Sequence, residues 1–338
     1  MKKVLLFGVL VTSFISISAQ VLESDNYNAY TLGNVATATD GTTVGQGGMY
    51  LSSGTAANYQ IVTGDATHGK YLQVTGGSDG TGASQRSVFK SGLDAAWATR
   101  TAGNNIIKGS FEVYTGTSTN QHASGMVVYG DTDGIVGIRY NSQTKLINGM
   151  AYLDVPGQSG FYNITGISTT TYPANTWVSL GFSYNKTTGA ITYQVGSAAP
   201  ITLAVNGATT VGGFDPFELD VLSSPTRTSA TSPANTGPTT FGIDNYSVWA
   251  SNNSTLGTSD IKNTKSAIIA IGPNPTADYL NILTDLKINN LEVFDISGRK
   301  LPVTLQGNKV DVKNLNPGSY ILTFETKEGK TTEKFIKK

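Results

Sequence analysis

The chain has 338 residues, and its 23 Lys and Arg balance 23 Asp and Glu, so the formal charge is zero. That balance excludes the basic footprint of a nucleic-acid binder and gives no pull toward an anionic membrane surface. Cysteine is absent, which rules out thiol chemistry, cysteine metal sites and disulfide staples, so an exported domain must be held by packing alone.

The predicted elements begin with a secretory signal. Lys2 and Lys3 form a positive start, Val4 to Ile17 is apolar apart from Gly8, Thr12, Ser13 and Ser16, and Ser18-Ala19-Gln20 offers a cleavage point. The apolar run is too short and too interrupted for a stable membrane span, so residues 1–19 read as a signal peptide. No later stretch reaches the length of a transmembrane helix.

Residues 20–250 read as one β-domain. With 39 glycines and frequent Thr, Ser, Asn and Tyr, short alternating runs between turn residues predominate, the pattern of an all-β protein. Strands are predicted over Lys70 to Thr75, Ile106 to Tyr114, Gly125 to Tyr129, Gly134 to Tyr140 and Lys145 to Leu153. Asp154 to Thr176 reads as a long loop. Trp177 to Tyr184 alternates cleanly, with Val178, Leu180, Phe182 and Tyr184 on one face, and Asn185 to Gly189 turns the chain into Ile191 to Val195. Phe217 to Val221 alternates too. The closing strand, Thr239 to Trp249, changes phase: Phe241 and Ile243 share one parity, Tyr246 and Val248 the other. A β-bulge at Asp244-Asn245 would keep all four buried.

Residues 251–265 are a polar linker. Beyond it lysine becomes frequent, and strands are predicted over Tyr279 to Ile282, Asn290 to Phe294, Lys309 to Val312, Ser319 to Glu325 and Thr331 to Lys337. Several short signatures occur in order here: Pro273-Asn274-Pro275, then Leu291 to Arg299 with Gly298, then Leu315 to Tyr320 with Gly318, and finally Glu333 to Lys338 with Lys334 and Lys337. With these motifs, residues 266–338 resemble the C-terminal sorting domain of type IX secretion cargo. The resemblance implies a small Ig-like β-sandwich, a partnership with the type IX machinery, and cargo that is released or attached to surface lipopolysaccharide after the tag is cleaved.

The larger domain more loosely resembles a concanavalin-A-like lectin/glucanase sandwich. The resemblance rests on the opening Glu23 to Gly33, the Trp177 to Val195 hairpin and Phe241 to Tyr246. It implies a large jelly-roll, a fold that hosts lectins, hydrolases, lyases and inert spacers.

Glycosidases of this fold carry a Glu-x-Asp-x-x-Glu strand, which is absent here. Glu112 stands alone, and Glu218 with Asp220 is the nearest substitute, since both oppose the apolar face of Phe217 to Val221; they would equally suit a solvated strand face. Asp215 precedes them. His68 and His122 read as loop histidines, and no nucleophile elbow or phosphate-cradling glycine motif is present. Asp244, with Glu23 or Asp25 across the first and last strands and Asn245 beside it, would suit a structural calcium, or would only satisfy backbone N–H groups at the bulge. Trp177, Tyr152, Phe161, Tyr162 and Tyr172 are the candidates for stacking on sugar faces.

The expected function is therefore a secreted or surface non-catalytic module that binds carbohydrate or acts as an adhesin. The alternatives are a polysaccharide hydrolase or lyase on the same sandwich, and a structural exoprotein without a small ligand.

Overall fold

A computed structural model describes residues 19–78, 84–226, 235, 237–256, 270–272, 276–283, 287–295, 297–326 and 329–338. The expected signal peptide and most of the expected linker lie outside these residues. The chain divides into two compact units, one up to Thr264 and one from Lys265. No helix among the described residues is long and apolar enough to cross a membrane.

The large unit is a jelly-roll sandwich of two antiparallel sheets. The first sheet has nine strands, in the order Ile201–Thr202, Ile191–Val195, Trp177–Asn185, Ile106–Tyr114, Thr240–Ser251, Lys70–Thr75, Tyr59–Thr63 and Gly33–Asn34, with Gln20–Asp25 also paired to Thr240–Ser251. The second has eight, running Gly160–Ile164, Ile147–Asp154, Gly134–Asn141, His122–Tyr129, Glu218–Pro225, Arg86–Ser91 and Tyr50–Ser52, with Thr209–Thr210 against Ile147–Asp154.

Alternation explains why the sheets close on one core. Phe111, Val113, Leu180, Phe182 and Ile243 from the first sheet meet Met126, Val128, Ile138, Leu219 and Val221 from the second. Each strand gives every other side chain to that core, and its remaining side chains to the opposite face. The Trp177–Asn185 strand turns into Ile191–Val195 through Gly189, whose φ of 77° is the left-handed value the turn requires.

The bulge lies where the phase change places it. Ile243 and Asp244 pair with Val113 and Glu112, the register then shifts, and Ser247 pairs with Ser110. Asn245 takes φ 49°, a left-handed conformation that asparagine tolerates better than most residues. Tyr246 and Val248 are thereby returned to the core beside Phe241 and Ile243.

Two local expectations are corrected. The span from Asp154 to Thr176 is not all loop, because Gly160–Ile164 forms a strand against Gly149 to Leu153. Its glycine and asparagine weaken the strand signal, which the pairing edge of Ile147–Asp154 supplies instead. A short helix, Leu93–Ala98, buries Leu93 and Trp97, and the Trp97 indole donates to Asp215 Oδ1 at 2.5 Å. Lys186 Nζ also lies 2.5 Å from that oxygen, so Asp215 has a structural task at the entrance to the Glu218–Pro225 strand.

The small unit has two four-stranded sheets, Ala270–Gly272, Tyr279–Leu283, Lys309–Asp311 and Thr304–Gln306, and Lys300–Leu301, Asn290–Asp295, Gly318–Thr326 and Gly329–Lys337. Leu280, Ile282 and Val310 from one sheet and Val293, Leu322, Phe324 and Phe335 from the other make its core.

Candidate functional site

The outer face of the second sheet carries polar groups that a solvated face would not bury. Because Leu219 and Val221 enter the core, Glu218, Asp220 and Leu222 project the other way. The register sets Asp220 beside Val127, Val127 beside Gly137, and Arg139 between Gly125 and Asn148. Asp220 and Arg139 are each only 7% exposed, although neither lies in the shared core. Val127, Met150 and Leu222 form a separate apolar cluster with Tyr129 and Phe161 packed on it. The Phe161 ring is 6.0 Å from that of Tyr129, and it lies where a β-carbon on Gly134 would be, within 2.5 Å.

The charged groups on this face have unspent hydrogen-bonding capacity. Ser87 Oγ donates to Asp220 Oδ2 at 2.7 Å, whereas Oδ1 has no partner. Burial is the main cause that lifts Asp220 to about 7, and the neighbouring Glu218 carboxyl adds to the rise. Burial also raises Glu218. Arg139 donates through Nη2 to Asn163 Oδ1 at 3.3 Å, while its Nε has no partner. Burial lowers Arg139 to about 10, which still leaves it a cation at neutral pH. Burial raises Tyr129 to about 12, with Asp220 adding to the rise and Arg139 opposing it. The phenol therefore feels both the carboxyl pair and the guanidinium. Buried polar atoms are ordinarily paired, so a guanidinium N–H and a carboxyl oxygen left without partners among the described residues, beside two aromatic rings, make this face the candidate site.

Of the three acids considered for catalysis, Glu218 and Asp220 come together. Glu112 does not join them, because it lies on the Ile106–Tyr114 strand of the first sheet, with the sandwich core between.

On the first sheet, Glu112 belongs to a different cluster. Asn245 Nδ2 donates to Glu112 Oε2 at 2.6 Å, and His68 Nε2 lies 3.4 Å from the same oxygen. His68 Nδ1 is 2.9 Å from Asp65 Oδ1. His68 does lie in the turn between Tyr59–Thr63 and Lys70–Thr75, but it is buried, 5% exposed, with two acids at its ring. Asp244 is fully buried; it accepts from the Asn245 N–H at 2.7 Å, and burial is the main cause that raises it to about 8.

The four residues considered for calcium do not form one ligand set. Lys90 Nζ lies 2.8 Å from Glu23 Oε1 and 3.6 Å from Asp25 Oδ2. Tyr246 donates to Glu23 at 2.9 Å, and Tyr30 donates to Asp25. An ammonium and tyrosine hydroxyls thus already fill the places a cation's charge would take. Asn245 meanwhile directs its amide nitrogen, which cannot ligate, at Glu112. Among the described residues no group of three or more His, Asp or Glu is arranged to hold a metal ion.

The aromatic candidates are also distributed. One face of Trp177 is covered by the His68 ring, 3.9 Å away and nearly parallel, and Tyr71 and Tyr114 abut it at 5.2 Å. Tyr152 packs on Phe214 at 4.9 Å, and Tyr162 and Tyr172 pack against the main core. Phe161 stands with the outer cluster of the second sheet, and Tyr152 is its cross-strand partner. Arg139, Tyr129 and Asn163 went unnoticed in the sequence, although the parity of Val136, Ile138 and Tyr140 already puts Arg139 on the face away from the core.

In the small unit, Gly298 has φ 82° and closes a turn in which Asp295 Oδ1 accepts from the backbone N–H groups of Ser297 and Arg299, each at 3.0 Å. Arg299 Nε donates to Asp295 Oδ2 at 3.0 Å. Leu315 and Tyr320 are buried in the core, and Tyr320 stacks on Phe335 at 5.5 Å. Gly318 opens the strand that runs beside the final one, and Lys334 and Lys337 lie on that final strand. Pro273, Asn274 and Pro275 lie outside the described residues.

Comparison with known proteins gives the class first: this is an exported, all-β protein with a sorting tail. Residues 270–338 match the secretion system C-terminal sorting domain, so the small unit is a type IX sorting domain and the protein is cargo for secretion or surface display. No curated protein matches the chain. Among solved structures, the binding domain of botulinum neurotoxin DC in complex with rat synaptotagmin II is similar at 10% identity, TM-score 0.41, over 91% of this chain and 74% of that one. A marine alginate lyase from Aplysia kurodai is similar at 11% identity, TM-score 0.42, over 68% of this chain and 99% of that one. A second alginate lyase, in complex with alginate trisaccharide, is similar at 13% identity, TM-score 0.40, over 68% and 97%. Identities this low transfer no residue role to this chain.

Proposed function

We propose that the large sandwich is an extracellular carbohydrate-binding module, delivered by the sorting domain, and that the outer face of its second sheet is the binding face. The observation that carries this reading is the burial of Asp220 and Arg139 on that face, each with an open polar atom, beside the Tyr129–Phe161 pair. Sugars present hydroxyls that donate and accept around a ring with an apolar face, and such a face offers both kinds of contact. Metal and cofactor play no part in this proposal.

A second reading, polysaccharide cleavage, draws on one feature, the carboxyl pair Glu218–Asp220 with Asp220 held near 7. The third acid considered, Glu112, lies on the other sheet, so the pair has no further acid from the sequence candidates beside it, which favours holding sugar hydroxyls over cleavage.

The test is retention of the full chain in gels loaded with soluble polysaccharides, scored also for release of new chain ends. Retention without release is the expected result. Release that disappears in Asp220→Asn would move the protein to the second reading. A folded chain retained by no polysaccharide would reject carbohydrate binding and leave a structural exoprotein.

A further inference from the structure

The proposed binding face contains a cation, Arg139, that no acid among the described residues pairs with. Several acids among the described residues are paired with a cation: Glu23 and Asp25 with Lys90, Asp215 with Lys186, and Asp295 with Arg299. Arg139 has no such partner. Its side chain donates to a neutral amide, Asn163 Oδ1 at 3.3 Å, and its Nε–H meets no acceptor among the described residues. A guanidinium that is 7% exposed and without a counter-charge is costly to keep, since buried charges are normally paired. Structure alone gives no reason for it either, because an apolar residue would extend the adjoining cluster of Val127, Met150 and Leu222.

Resting on the carbohydrate-binding reading, we infer that Arg139 is the subsite for the carboxylate of a uronic-acid unit, so that the groove takes an anionic, hexuronate-containing polysaccharide. The guanidinium is a planar fork that matches a carboxylate edge, and its Nε–H has no acceptor among the described residues. The rest of the face suits the remainder of the same sugar. Glu218 and Asp220 accept hydroxyl hydrogens, and the Tyr129 and Phe161 rings offer an apolar surface. The two carboxyls do not repel an anion as two full charges would, because burial favours the protonated form of each. Register places Asp220 and Arg139 on strands separated by His122–Tyr129. At about 4.8 Å per strand, that separation lets one sugar unit or two neighbouring ones span both groups.

The experiment uses the full chain against polyglucuronate, polygalacturonate and polymannuronate, each beside its fully methyl-esterified form, with neutral glucan, mannan and xylan and with dextran sulfate as comparators. Retention by at least one uronate polymer, falling about tenfold on esterification and in Arg139→Met, is the expected result, about 1.4 kcal/mol by the usual conversion. Arg139→Lys keeps the charge but lacks the fork, and is expected to recover only part of the loss; it also serves if Arg139→Met does not melt cooperatively. Equal retention of acid and ester, retention of the folded Arg139→Met variant at the wild-type level, or equal retention by dextran sulfate would overturn the uronate subsite. Retention by neutral polymers alone would overturn it too, while leaving carbohydrate binding intact. Retention by nothing in the series would remove the carbohydrate-binding reading itself.

Discussion

Asp220 shows what the binding face costs the fold. Its folded-state value, about 7, stands above the ordinary 3.8 because burial disfavours the ionised form. The folded protein therefore holds this proton more tightly than the unfolded chain. The stability so gained is full below about pH 4 and is lost as the pH rises through about 7. Asp220→Asn keeps an oxygen for the Ser87 hydroxyl and removes the titration. Urea unfolding is expected to show the variant's advantage growing between pH 4 and 8 to the order of 2–4 kcal/mol; a gap that is flat with pH would contradict the assignment. His68 moves stability in the same direction for a different reason. Burial works against its cation, but Glu112 and Asp65 outweigh burial and leave it above its ordinary 6.5. Its contribution is present below that value and lost as the pH rises through the raised one. His68→Gln should therefore lower the melting temperature more at pH 5.5 than at pH 8.5, and a larger loss at the higher pH would count against the ion pairs.

At the residue scale the sequence disclosed side-chain parity better than partnership. That Glu218 and Asp220 oppose Leu219 and Val221 follows from alternation. That Asp220 is buried does not, because burial on an outer face depends on the neighbouring strands, which bring Ser87, Phe89 and Val127 to it from far along the chain. His68 was misjudged for the same reason: Glu112 is distant in the chain, and only folding brings it to 3.4 Å. Glu23, Asp25 and Asp244 were drawn together correctly in strand order, since Gln20–Asp25 does pair with the closing strand. Lys90 reaches Glu23 and Asp25 from the second sheet, a contact that alternation along the chain does not foretell.

At the scale of elements, the bulge at Asp244-Asn245 is the clearest case in which sequence phase dictated structure. Two parities in one strand cannot both be buried without an extra residue, and Asn245 is that residue. Its φ of 49° makes the position sensitive to side-chain shape. Asn245→Val puts a β-branched residue in a left-handed conformation and removes the amide that holds Glu112, so a loss of about 2–3 kcal/mol is expected. Asn245→Gly relieves the backbone and loses only the amide contact, and should cost clearly less. Chemical denaturation distinguishes them, and equal losses would show that backbone conformation is not what selects asparagine here. The Gly160–Ile164 strand illustrates the opposite situation. Its own residues carry a weak β signal, and the edge of Ile147–Asp154 decides its state; that is why Phe161 reaches the groove while Tyr162 turns to the core.

For the whole molecule, the two units answer different questions. The sorting domain carries its identity in short local signatures, such as the Asp295 to Arg299 turn and the buried Tyr320, so it was legible in the chain. The large sandwich carries its chemistry in contacts between strands far apart in sequence, which composition cannot rank. Its central claim, that ligand meets the second sheet and not the first, is tested most directly by comparing Phe161→Ala with Trp177→Ala in the full chain, using the polysaccharide that retains the wild type and measuring dissociation constants. The account predicts a loss of about fivefold or more for Phe161→Ala and a change within about twofold for Trp177→Ala, in line with the roughly 1 kcal/mol that an aromatic contact contributes. A large loss in Trp177→Ala with Phe161→Ala unchanged would place the ligand on the His68–Trp177 side of the sandwich and contradict the account.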